Sequence, residues 1–64
     1  MATPQLQAAL EELTQAGAQG LPSVDEVEAF ETTPEKKGRW SGTRENGAPW
    51  ELIKNSPTSY NCVF

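Results

Sequence analysis

The sequence predicts an α+β fold: an N-terminal amphipathic helix and a short second helix, followed by a two- or three-stranded antiparallel β-meander. Three observations carry that reading. Apolar residues recur at helical spacing from Leu6 to Ala16 and then meet glycine. A helix-start signature, Ser23-Val24-Asp25-Glu26, opens a second short segment, and Asn46-Gly47 sits between two tryptophan-containing runs. The change from helix to sheet is also a change of charge. Residues 1–35 carry seven acidic side chains and no Lys or Arg, whereas residues 36–64 carry five basic against two acidic, so −7 and +3 give the net −4. Residues 1–35 are therefore read as an acidic helical segment and 36–64 as a hairpin or meander segment of one small domain. Asymmetry of this kind concerns partners, or docking of one half on the other, rather than catalysis.

The first helix is expected over residues 4–16. Thr3 can cap a free amide, and Pro4 brings a φ already suited to the first turn. Leu6, Ala9, Leu10, Leu13 and Ala16 then form one apolar stripe, with Gln5, Gln7, Glu11, Glu12 and Gln15 elsewhere, and Gly17 and Gly20 end it. A helix this short is marginal alone in water, so its Leu edge must find a surface, either the Trp40/Trp50 face or another protein. In the second segment, Ser23 caps the third helical amide while Glu26 is placed to reach back to the Ser23 amide, a capping box. Asp25 and Glu26 suit the positive end of the helix dipole. Pro34 blocks continuation, which predicts a helix over about residues 24–31 with Val24, Val27 and Phe30 as an apolar edge.

Register decides the hairpin. A two-residue Asn46-Gly47 turn would set Trp40 opposite Ile53 and put the two tryptophans on opposite faces. A three-residue loop, Glu45-Asn46-Gly47 with Gly47 left-handed, sets Trp40 opposite Leu52 and Gly42 opposite Trp50. The second register gathers Trp40, Ala48, Trp50 and Leu52 on one face and leaves Arg39, Ser41, Thr43, Glu51 and Ile53 on the other, so it is preferred. Pro49 lacks an amide donor and must avoid a ladder hydrogen bond. After the turn Asn55-Ser56-Pro57-Thr58, residues 59–64 alternate Tyr60, Cys62 and Phe64 against Asn61 and Val63, a third strand.

Composition closes off several functions. A chain of 64 residues buries only about 60% of the surface it exposes when unfolded, and small scaffolds compensate with disulfides, metal or a partner. Cys62 is alone and there is no His, which removes intrachain disulfides and the usual zinc sets. Asp25, Glu26, Glu28 and Glu31 lack the glycine and spacing of a calcium loop. No catalytic residues, metal site or cofactor are assigned, and no enzyme is expected. Arg39, Trp40, Arg44 and Trp50 mix cations with aromatics as base-stacking surfaces do, but the net negative charge disfavours nucleic acid. Thr33-Pro34 and Ser56-Pro57 read as turns before they read as phosphorylation sites. No secretory start and no apolar run of roughly 20 residues is present, so an intracellular, soluble protein without a membrane span is expected.

The order helix, Pro34-containing linker and Gly38-Arg39-Trp40 entering a hairpin resembles the opening of small-ligand β-barrel families such as the plastid lipid-associated proteins. The resemblance covers Pro34 to Trp40, and Gly42 to Asn46 departs from the apolar strand of those families. A barrel needs many more strands than this chain contains, so the resemblance supplies a further alternative only: the N-terminal fragment of a larger ligand-binding β-barrel.

The leading functional expectation is a small non-enzymatic protein-interaction module: an accessory subunit, regulator or inhibitor packed on another protein, with self-association also possible. Its candidate partner-binding residues are Leu6, Leu10, Leu13, Arg39, Trp40, Arg44 and Trp50. The apolar end Cys62-Val63-Phe64 could also add as a strand to a sheet edge. The alternative from another class is a precursor peptide, with residues 1 to about 35 as an acidic leader and the remainder as the modified portion.

Overall fold

Glycine and tertiary capping, more than helix propensity, set where the two helices end. A computed structural model describes residues 4–64. Helix α1 spans Pro4–Gln15 and α2 spans Val24–Ala29; strands β1 (Gly38–Thr43), β2 (Pro49–Ser56) and β3 (Ser59–Val63) follow. The expected Thr3 cap lies outside the described residues. At the other end of α1 the Gly17 amide bonds to the Thr14 carbonyl and the Ala18 amide to the Leu13 carbonyl, both at 3.0 Å. Gly17 has φ 87°, which makes this a Schellman motif closed by a left-handed glycine.

Helix α2 is shorter than the expected 24–31. Ser23 caps it as predicted, its Oγ accepting the Glu26 amide at 3.1 Å. The chain leaves helical geometry at Phe30 (φ −70°, ψ 121°), so that the Phe30 ring meets Trp40 edge-on with centroids 5.4 Å apart. Pro34 therefore comes after the stop and does not cause it. It occupies a tight turn in which Thr33 and Lys36 exchange both backbone hydrogen bonds, at 2.9 and 3.1 Å.

The three strands form an antiparallel meander in the order β1-β2-β3. Trp40 pairs with Leu52 and Gly42 with Trp50, the register of the three-residue loop. The Arg44 amide donates to the Ala48 carbonyl at 2.7 Å, and Gly47 is left-handed with φ 86°. Ladder hydrogen bonds alternate from that pair, so Thr43/Pro49 falls at a non-bonded position and the missing Pro49 donor costs β1–β2 pairing nothing. Register shifts between Lys54 and Ser56, where a bulge leads into the turn to β3.

Leu6, Ala9, Leu13, Val27, Trp50 and Leu52 form one buried cluster drawn from both helices and β2. The helices therefore lie on the face that carries Trp50 and Leu52, and the Leu stripe of α1 is met inside the chain. Each of these large side chains contributes about 1.5–3 kcal/mol by leaving water, most of what so small a domain has. The opposite face of the sheet holds Arg39, Ser41, Thr43, Asn61 and Val63, all exposed, with Arg39 Nε 3.2 Å from a Glu51 carboxylate oxygen.

Candidate interaction surface

The basic and aromatic residues of the second half reach back onto the backbone of the first. Lys54, at the inward end of β2, is 3% exposed, and its Nζ donates to the carbonyls of Val27 (2.7 Å) and Phe30 (2.8 Å), with Glu28 at 3.4 Å. These carbonyls lie at the end of α2; the Val27 carbonyl also accepts the Phe30 amide at 3.3 Å, and Lys54 adds a charged donor to it and to Phe30. Arg44 Nε does the same for α1, donating to the Ala16 carbonyl at 2.9 Å. Neither helix has a basic residue in its own last turn, so the sheet supplies both cations. The indole N–H groups follow the same rule. Trp50 Nε1 donates to the Gln19 carbonyl and Trp40 Nε1 to Glu26 Oε2, both at 3.1 Å.

Two expectations are corrected by this geometry. Docking of the acidic half on the basic half by charge would place Asp25, Glu26, Glu28 and Glu31 near Arg39, Arg44 or Lys54, yet Lys54 and Arg44 donate to main-chain carbonyls and Arg39 lies beside Glu51. The acceptors these cations meet are peptide carbonyls at the two helix ends. Glu26 was expected to complete a capping box with the Ser23 amide; its Oε2 instead accepts from Trp40, which links α2 to β1 across 14 residues of sequence.

The candidate residues separate accordingly. Leu6, Leu13 and Trp50 are in the core and Leu10 packs half-buried against it. Trp40 and Arg44 are half-buried at the two ends of the helical layer, and Arg39 is exposed on the outer face beside Glu51. The structure thus brings Leu6, Leu10, Leu13 and Trp50 together as interior and leaves Arg39 apart.

The sheet has two unlike edges. From the Arg44–Ala48 bond, the alternation turns the amides and carbonyls of Arg39, Ser41 and Thr43 outward on β1, and those of Tyr60 and Cys62 outward on β3. The β1 edge is guarded. Segment 17–19 runs beside its end, with Gln19 N donating to the Thr43 carbonyl at 3.0 Å and Glu45 N to the Gly17 carbonyl at 2.8 Å, and Arg39 charges the remainder. The β3 edge carries no Lys, Arg, Asp, Glu, Pro or Gly from Ser59 to Phe64. Val63 and Phe64 there are 53% and 55% exposed, the exposed large hydrophobics of the described chain.

Two open clefts of about 420 and 400 Å³ follow this edge. The first lies between α1 and β3, lined by residues including Gln5, Ala8, Glu12, Tyr60, Cys62 and Phe64, and the second continues past Glu12 to Ala16 and Arg44. The Arg44 guanidinium stands 5.8 Å from the centre of the Phe64 ring, which ties the end of the chain to the α1 cap. Cys62 Sγ is 3.5 Å from the Ala9 carbonyl. Burial, and then the Glu12 carboxylate, hold its thiol above the ordinary value, which makes it a poor nucleophile near neutrality.

Among the described residues, no group of three or more His, Cys, Asp or Glu side chains is arranged to hold a metal ion, and no helix is long and apolar enough to cross a membrane. Comparison of the chain with protein-family models, with curated proteins and with solved structures finds no match.

Proposed function

We propose that the chain is a small non-enzymatic protein-interaction module that docks on another protein chain through its β3 side. One observation carries this reading: an uncharged, unguarded strand edge with Val63 and Phe64 about half exposed, flanked by clefts against α1. Natural sheets protect such edges with charge, proline or cover, as β1 is protected here, so an edge left bare is suited to strand addition. The original candidates on the Leu stripe and at Trp50 serve the fold; docking falls to Tyr60, Val63 and Phe64, with Arg44 at the margin.

Affinity capture with cross-linking from the native host, at low and at high salt, tests the reading. A partner held by the apolar edge persists at high salt, where the Debye length falls from about 10 Å at 0.1 M to about 3 Å at 1 M. It is lost from Val63→Lys. Capture that is unchanged by Val63→Lys, or a chain that retains no protein, overturns the proposal.

The same open edge also favours a second reading, the opening of a larger ligand-binding barrel, in which a following strand would pair with β3; a longer reading frame decides it. The precursor reading is weakened by the bonds from Trp40, Arg44, Trp50 and Lys54 onto residues 16–30, because a detachable leader would not also be half of the core. An intact, unmodified native mass rules it out.

A further inference from the structure

We infer that the partner at the β3 edge is a second copy of this chain, joined by antiparallel β3–β3 pairing about a twofold axis at Cys62, an inference that rests on the interaction reading above. The outward hydrogen-bonding groups of β3 belong to Tyr60 and Cys62, and the same alternation continues to the Phe64 amide. Centring on Cys62 uses all three: Cys62 pairs with Cys62 of the second copy, and Tyr60 with its Phe64. The match extends to side chains. Tyr60 and Phe64 fall on the inward face as two cross-strand aromatic pairs, while Asn61 meets Val63 on the outward face. A partner strand here must be uncharged, free of proline and alternately apolar, and β3 meets each requirement itself.

The charges of α1 permit the arrangement. Helix α1 runs in the same direction as β3, with Ala9 beside Cys62 and Glu12 at the Phe64 end. A twofold axis near Cys62 therefore sets Glu12 of one copy toward Gln5 of the other, so the two Glu12 carboxylates do not face each other. Specific interfaces bury about 1,000 Å² or more in total, beyond what a short strand edge supplies. The remainder comes from Phe64 of each copy, which pairing delivers to the Gln5–Ala8 end of the other copy's cleft. The result is an isologous dimer with a continuous six-stranded sheet, and it removes the bare edge from both chains.

Sedimentation of the 64-residue chain from about 5 to about 500 µM tests this directly. The expected result is a dimer fraction that rises with concentration and a Kd raised roughly tenfold or more by Val63→Lys, while Ser41→Lys on the β1 edge changes it by less than about twofold. Amide exchange of the unaltered chain reads the same point without a variant: Tyr60 and Cys62 gain protection with concentration and Ser41 does not. Oxidation with diamide at alkaline pH, where the thiol ionises, is expected to join the dimer through Cys62, because paired residues about 5.5 Å apart lie within disulfide reach. A chain monomeric across the range, or a dimer weakened equally by Ser41→Lys, overturns the inference. A monomer that still captures a host protein through β3 overturns the second copy alone and leaves the interaction module standing.

Discussion

The two ends of the helical layer are each built from a tryptophan, a glycine and a cation, with the burial of tryptophan and cation exchanged. At the α1 end, Trp50 is 2% exposed, lies against Gly42 and is accompanied by a half-buried Arg44 that caps the helix. At the α2 end, Trp40 is half-buried against Gly38, and the cap is a buried lysine, Lys54. A Cβ built on Gly42 would approach Trp50 to 2.7 Å and one on Gly38 would approach Trp40 to 2.8 Å, so each indole lies where only glycine leaves room. One end therefore relies on apolar burial with a cation at its rim, and the other relies on a buried cation with an indole at its rim. The reason lies in helix length. Twelve residues of α1 offer Leu6 and Leu13 to the core beside a tryptophan, whereas the six of α2 offer Val27 and a group of carbonyls at the helix end that Lys54 reaches.

If that contrast is right, the largest effect belongs to the apolar end. Trp50→Ala should cost about 3–5 kcal/mol, because it removes the largest buried side chain and leaves a cavity over Leu6, Leu13 and Leu52. A single core of this size supplies only about 3–5 kcal/mol in all, so the variant is expected to be unfolded at 25 °C by circular dichroism. A folded Trp50→Ala would break the comparison.

Lys54→Met should rank next. Methionine fills the stem's volume but donates nothing, which takes the charged donor from both carbonyls: Val27 keeps only the 3.3 Å bond from the Phe30 amide, and Phe30 loses its Lys54 bond at about 1–3 kcal/mol for a buried acceptor. Urea denaturation should register a loss of about 2–4 kcal/mol, and amide exchange should find α2 opening before α1. Equal loosening of both helices would mean that Lys54 acts on general packing and not as a cap. Arg44→Gln should cost only about 1 kcal/mol, since the guanidinium is half-buried and gives the Ala16 carbonyl one bond that water can replace. The order Lys54 above Arg44 is the sharpest statement of the contrast, and its reversal in urea would refute it.

The sequence made legible whatever depends on local chemistry. Asn46-Gly47 and the need for one apolar face selected the three-residue loop, and with it the pairings Trp40–Leu52 and Gly42–Trp50. Gly17 and Ser23 marked helix boundaries because left-handed closure and N-capping involve neighbours within a few residues. The role of Lys54 was not legible. A lysine in a strand reads as a solvated residue, and its partners, the carbonyls at the end of α2, are backbone groups that no side-chain pattern records. The early end of α2 was missed for the same reason, since it depends on where Phe30 and Lys54 meet it in space. The charge split pointed to Arg39, Arg44 and Lys54, of which Arg44 and Lys54 do bind the acidic half, through its peptide carbonyls, while Arg39 stays beside Glu51 within the sheet. The contrast between β1 and β3 was half visible in composition, as Arg39 against an uncharged Ser59 to Phe64, but that segment 17–19 covers one edge is a tertiary fact.

The smallest effect sharpens the account of the α1 end, where Cys62 adds a titrating contact. Its thiol faces the Ala9 carbonyl in a partly buried site beside Glu12, and both surroundings favour the neutral form. The folded pKa is therefore raised above the unfolded value of about 8.5. With that sign, the thiol's contribution to stability is fully present below about pH 8.5 and is lost as pH rises through the folded value. Iodoacetamide should accordingly modify the folded chain with a midpoint displaced to higher pH than in urea. Glu12→Gln should bring the folded midpoint part of the way back, leaving the larger share because burial is the greater cause. Identical midpoints in folded and denatured chain would mean that Cys62 stands open to water. In that case α1 would not cover β3 closely enough to shape the cleft that the proposed second copy would enter.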